Sequence, residues 1–131
     1  MRFEIVDIGW LKPHEEIKPG RLEEMIFKIK NRSIFHKPIL VDLETGTILD
    51  GHHRYNASLT LGFSKIPAIL IDYLNDSTIS VDVWPNCGIE TITKQDVLNM
   101  AQSGNVYPPK TSKHELNFEL KKIEVPISEL I

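Results

Sequence analysis

The stretch Ile48-Leu49-Asp50-Gly51-His52-His53-Arg54-Tyr55 decides how this chain is read. Apolar residues run into a glycine, and the glycine runs straight into a segment with helical spacing. A glycine at that junction lets the backbone come close to an anion, and the first N–H groups of the helix point at it. His52, His53 and Arg54 add hydrogen-bond donors and positive charge at the same end. Cationic groups at a helix N-terminus oppose the helix dipole, so the arrangement costs stability unless an anion compensates. The stretch therefore reads as a phosphate-binding turn.

Upstream of it, residues 2–8 alternate as a strand, with Phe3, Ile5 and Asp7 on one side and Glu4 and Val6 on the other. Pro13 closes that segment, because it cannot donate to a ladder. Leu22, Met25, Ile26 and Ile29 then recur at helical spacing and form one buried face. Their neighbours Arg21, Glu23, Glu24, Lys28 and Lys30 read as a solvated face. Residues 38–41 and 47–49 form two short strands around the turn Glu44-Thr45-Gly46. The helix after the glycine runs from about His53 to Leu61 and stops at Gly62.

Downstream, residues 66–73 read as a buried strand and residues 78–83 as its neighbour. Thr93 followed by Asp96 reads as a helix N-cap; Val97, Met100 and Ala101 supply that helix's apolar face and Gly104 ends it. Residues 107–114 read as a loop, and Ile123-Glu124-Val125 as a closing strand. Strands and helices alternate irregularly, which predicts an α+β fold with a small mixed sheet flanked by helices.

At 131 residues the chain fits one compact domain spanning residues 1–131. Its single cysteine, Cys87, excludes an internal disulfide and lacks the partners of a structural zinc site. A formal net charge of −3 argues against nonspecific duplex binding, so nucleic acid is not the expected partner. The lack of a long apolar run or a signal-peptide pattern predicts a soluble, cytoplasmic protein without a membrane partner.

With these residues in place, Asp50-Gly51-His52-His53-Arg54 after an apolar strand resembles the phosphate-binding signature of the ParB/sulfiredoxin-like fold. Sulfiredoxins carry a Gly-Cys-His-Arg turn with a cysteine nucleophile. His52 stands at that place here, so sulfinic-acid reductase chemistry is not expected. ParB proteins carry Gly-Glu-Arg-Arg for CTP, which also differs. Two further stretches narrow the match. Leu11-Lys12-Pro13-His14-Glu15 resembles the Lys-Pro-His-Glu segment of archaeal free serine kinases, and Tyr107-Pro108-Pro109-Lys110-Thr111-Ser112-Lys113-His114 resembles their C-terminal Pro-Lys-Thr-Thr-Arg-His loop. Residues 34–38 and Trp84-Pro85 also follow the family, so the resemblance covers nearly the whole chain in a shortened form. Only residues 86–106 bridge the gap before the last loop, and Ser112 and Lys113 replace Thr and Arg.

The resemblance implies a kinase that moves a phosphoryl group from ADP or ATP to the hydroxyl of free L-serine. It implies Glu15 as the base on that hydroxyl. Asp50, Gly51, His52, His53 and Arg54 would bind the nucleotide phosphates, with Asp50 orienting them or holding Mg²⁺. Lys110, Thr111, Ser112 and His114, in a loop over residues 105–115, would bind the amino acid, with Trp84 walling the pocket. The competing reading is a ParB-like nucleotide-binding or DNA-binding regulatory module without catalysis. Such a module needs neither Glu15 nor the Lys110–His114 loop. A metal-dependent nuclease is disfavoured by the acidic balance and by the lack of a carboxylate cluster for two metals. His14 reads equally well as a surface residue, Glu16 as solvated and His36 as packing.

Overall fold

The computed structural model describes residues 2–131. Four strands make the central mixed sheet in the order β1-β5-β3-β4: β1 (Glu4–Asp7), β3 (Ile39–Asp42), β4 (Ile48–Asp50) and β5 (Lys65–Ile71). β1 and β4 pair antiparallel with their neighbours, whereas β3 and β5 run parallel, Ile39 opposite Ala68 and Val41 opposite Leu70. A parallel pair needs a crossover, and α2 (His52–Thr60) lies in the connection from β4 to β5. The Gly51 turn is the start of that crossover.

Period-2 alternation explains why β3 is apolar throughout. Ile39 and Val41 face one core with Ile48, Ile66 and Ala68, while Leu40 faces the other with Leu49, Ile69 and Ile71. The first core is covered by α1 (Pro19–Arg32), through Leu22, Met25, Ile26 and Ile29, and by Tyr55 and Ala57 of α2. β2 (Ile34–Phe35) pairs with β8 (Val125–Pro126) along its margin. The second core is covered by Val97 and Leu98 of α3 (Lys94–Ser103) and by the hairpin-like pair β6 (Ile79–Val83) and β7 (Ser112–Leu116). The short bridge over residues 86–106 is thus a turn-rich segment plus α3, which fills the second core.

The structure corrects several boundaries. Residues 112–116 form β7 rather than the end of a loop, because Ser112 to Leu116 pair with Val83 to Ile79, so β6 lies in a separate two-stranded sheet and not beside β5 as expected. β5 ends at Ile71, where the chain leaves the sheet and the backbone N–H of Tyr73 donates to the buried Asp42 carboxylate at 3.1 Å. α2 begins at His52, one residue earlier than its spacing suggested. Leu98, rather than Met100, joins Val97 and Ala101 on the buried face of α3. The Thr93–Asp96 capping box is present as expected, with both reciprocal hydrogen bonds.

Candidate active site

Gly51 sits at the N-terminal end of α2 with φ of 102°, a conformation that L side chains rarely adopt. A Cβ there would lie 2.5 Å from Ile39 Cγ2 and 2.9 Å from Arg54 Nη2. The turn is therefore tight because the parallel strand β3 and the first turn of α2 both press on it. Arg54 is buried; its Nη2 donates to the Pro38 carbonyl at 3.0 Å, and its Nε has no partner.

The histidines of the turn are held from behind. The His14 backbone N–H donates to His52 Nε2 at 3.2 Å, and the Lys18 backbone N–H donates to His53 Nε2 at 3.2 Å. Accepting through Nε2 places the proton of each neutral ring on Nδ1. Burial pushes the His52 pKa well below its ordinary value, helped by His14 and His114 nearby, and burial with Arg21 lowers that of His53. The sequence suggested three cationic groups at this helix end. The His52 ring is neutral, because charging it would bury charge beside other basic groups, and the His53 pKa is lowered in the same direction; Arg54 is the buried cation.

His14 is buried at 1% exposure rather than on the surface. Its Nδ1 donates to the Ile48 carbonyl at 2.8 Å and its Nε2 lies 2.9 Å from Ser112 Oγ. Glu15 Oε1 accepts from Ser112 N–H at 2.8 Å, from Ser112 Oγ at 2.8 Å and from Thr111 N–H at 3.3 Å. The C-terminal segment is further tied down by Tyr107, which donates its N–H to His14 O and accepts from Glu16 N–H, both at 2.8 Å. The Lys-Pro-His-Glu and Lys-Thr-Ser-Lys-His stretches, nearly a hundred residues apart in sequence, are thus hydrogen-bonded to each other.

These groups surround an open cleft of about 670 Å³. Glu15, Asp50, Gly51, His52, His53, Arg54, Trp84, Lys110, Ser112 and His114 all line it. Thr111 does not: it is buried, its Oγ1 donates to Pro108 O at 2.8 Å, and it reaches the site through its backbone bond to Glu15. Trp84 donates its ring N–H to Ser112 O at 3.1 Å, and Lys110, in the left-handed region at φ 62°, sets its ammonium 4.4 Å from the centre of the Trp84 ring. His114 accepts or donates at 2.7 Å with the Tyr73 hydroxyl, and burial lowers its pKa to about 3.

The sequence reading missed four contributors from α1. Arg21, Glu24, Met25 and Lys28 line the cleft, although the charges of Arg21, Glu24 and Lys28 suggested solvent and Met25 was expected only on the core face. Arg21, Met25 and Lys28 recur at i, i+4 and i+7, a stripe beside the core face that was visible in the sequence but had no partner there. Glu16 and Lys113 also reach the cleft.

No family model matches the chain. It is 38% identical over 94 residues to an ATP-dependent L-serine kinase of Staphylothermus marinus, across 69% of this chain and 37% of that protein. It is 47% identical over 83 residues to a ParB-like protein of Sulfolobus acidocaldarius, across 63% of this chain and 41% of that protein. The matches therefore span about two fifths of these relatives' length. In structure, it superposes on a free serine kinase with a glutamate-to-alanine mutation, in complex with ADP. The TM-score is 0.90 with 20% identity, over 100% of this chain and 95% of that one. The fold is that of the free serine kinases. The α+β arrangement of a small mixed sheet flanked by helices, expected from the strand–glycine–helix turn, is present. Among the described residues, no helix of this serine-kinase fold is long and apolar enough to cross a membrane.

Proposed function

We propose that the chain phosphorylates free L-serine at its hydroxyl, using ATP or ADP as donor, to give O-phospho-L-serine. The observation that carries this reading is that a carboxylate, Glu15, and the Gly51–Arg54 turn line the same cleft. Phosphoryl transfer asks mainly for positioning and charge neutralisation, and a hydroxyl nucleophile needs somewhere for its proton to go. The three bonds on Glu15 all fall on Oε1, so Oε2 takes none of them and is the oxygen for the substrate proton.

In this reading the α2 N-terminus, Gly51, His52, His53 and Arg54 hold the phosphates. The unpartnered Nε of Arg54 is a buried donor that an anion would satisfy. Lys110, Ser112 and His114 hold the amino acid, Thr111 fixes Glu15, and Trp84 forms the wall. Among the described residues no group of three or more His, Cys, Asp or Glu side chains is placed to hold a metal. A single carboxylate, Asp50, at the mouth of the turn fits Mg²⁺, which takes few protein ligands and completes its shell with water and substrate phosphates. Bound there, Mg²⁺ supplies neutralisation of phosphate charge.

The name of the Staphylothermus marinus relative supports ATP as the donor, and the ADP complex of the structural neighbour supports testing both. The test is incubation of the protein with Mg²⁺, L-serine and either ATP or ADP, followed by detection of O-phosphoserine. Nucleotide binding without phosphoserine from either donor would instead favour a ParB-like binding module, the reading suggested by the Sulfolobus acidocaldarius relative.

A further inference from the structure

Glu15, Ser112 and His14 form a chain of short contacts that is one proton short. His14 Nδ1 lies 2.8 Å from the Ile48 carbonyl oxygen. A carbonyl only accepts, so Nδ1 carries the proton and Nε2 of the neutral ring presents a lone pair. That Nε2 is 2.9 Å from Ser112 Oγ, and the same Oγ is 2.8 Å from Glu15 Oε1. The Ser112 hydroxyl has one proton for two acceptors. With Glu15 ionised and His14 neutral, one of these two contacts always sets lone pair against lone pair.

Two changes resolve the conflict. Charging His14 is disfavoured, since the ring is buried and its pKa is lowered to about 4. Neutralising Glu15 is the other. Oε1 of a protonated carboxyl is a poorer acceptor and is already served by the N–H groups of Ser112 and Thr111. The Ser112 hydroxyl is then free to turn to His14.

We propose that His14 is a positioning residue for phosphoryl transfer, receiving the Ser112 hydroxyl hydrogen bond as Glu15 accepts the proton of the substrate hydroxyl. The inference rests on the serine-kinase reading above. In the step, the substrate O–H proton passes to Glu15 Oε2, and the freed oxygen lone pair bonds to the terminal phosphorus of the donor. The bond from that phosphorus to its bridging oxygen breaks, and its electrons leave with the nucleotide. The Ser112 O–H bond stays intact and only rotates. Glu15 loses one hydrogen bond as it loses its charge, and the bond to His14 offsets that loss.

The experiment compares kcat–pH profiles of the wild type, His14→Phe and His14→Gln. Other titratable or charged groups around the cleft are Glu16, Asp50, His52, His53, Arg54, Lys110, Lys113 and His114, with Arg21, Glu24 and Lys28 facing it from α1. Burial keeps the rings of His52 and His114 neutral near pH 7, so the acid limb of kcat is not theirs. Phe leaves Ser112 only Glu15 to donate to, which favours the ionised carboxylate. The acid limb should move to lower pH and kcat should fall about tenfold, part of the roughly 10²–10⁴-fold that a general base contributes, with KM for serine within about twofold. Gln can donate to Ile48 O and accept from Ser112, so it should recover most of the rate and restore the limb. A folded Phe variant with the wild-type limb, or Gln and Phe variants equally impaired, overturns the proposal. Should the Phe variant not fold, nitrogen NMR of labelled histidine decides it without turnover. His14 must be the Nδ1–H tautomer and its Nε2 resonance must shift in Ser112→Ala; an Nε2–H ring overturns the proposal. A wild-type protein that makes no phosphoserine from either donor fails the kinase reading instead, a result the tautomer measurement does not share.

Discussion

The backbone N–H of His14 donates to Nε2 of His52 over 3.2 Å, and the two rings meet edge to face with centroids 4.6 Å apart. This one contact joins the segment after β1 to the first residue of α2. It also fixes the proton of His52 on Nδ1 and leaves the ring without charge. The Gly51–Arg54 turn therefore combines a neutral His52 ring with one buried guanidinium, so its helix end is polar with little charge repulsion to overcome.

Glu15→Gln keeps an amide oxygen for the N–H groups of Ser112 and Thr111 but cannot take a proton. Turnover should fall about 10²–10⁴-fold while nucleotide affinity stays nearly constant. Glu15→Ala should add a lower melting temperature, because the C-terminal segment loses its anchor. Steady-state phosphoserine production and calorimetric nucleotide titration check both. Turnover of the Gln variant within about threefold of wild type places the base elsewhere.

Arg54→Ala removes the one buried cation at the turn. Nucleotide dissociation constants should rise by about ten- to a hundredfold, the scale of a charge-assisted hydrogen bond. The variant also leaves the Pro38 carbonyl without its donor, so a thermal melt must accompany the titration. An unchanged dissociation constant in a folded variant removes Arg54 from the phosphate site.

Gly51→Ala places a methyl group against Ile39 and Arg54 and holds a non-glycine residue at positive φ. A loss of about 1–3 kcal/mol in stability is expected. Denaturant unfolding measures it; a wild-type midpoint would mean that the turn relaxes freely.

Stability should fall in acid through the buried rings. His14 has a pKa of about 4 in the folded protein against an ordinary 6.5. Between these values the unfolded chain binds more protons, so stability rises with pH. The contribution is complete above about pH 6.5 and is lost as pH falls toward 4, at about 1.4 kcal/mol per pH unit for this ring. His114 has the same sign. Denaturant midpoints measured from pH 4 to 8 should show this slope, and His14→Gln should flatten it. A flat wild-type profile would mean that His14 is solvated.

Local sequence determined the elements that carry their own signals. The strand–Gly51–helix junction, the Leu22-Met25-Ile26-Ile29 face, the capping box at Thr93 and the β3–β4 turn are each fixed by residues close in sequence. Short-range patterning sets backbone conformation and which face is apolar, and the order of motifs was enough to indicate the fold. It did not reveal β7, because Ser112-Lys113-His114-Glu115-Leu116 has few apolar residues; the strand exists because β6 offers it a partner.

The site itself was decided by tertiary structure. In sequence, His14 read equally well as a plain surface residue, and Glu15 had no obvious structural duty. Folding brings residue 112 beside them, satisfies Glu15 with three donors and removes His14 from water. The charge of the turn changed for the same reason. A histidine's protonation depends on desolvation and on neighbours brought from distant segments, and neither is written in residue types alone. Arg21 and Lys28, ordinary helix-surface cations by sequence, became cleft residues only because α1 packs beside α2.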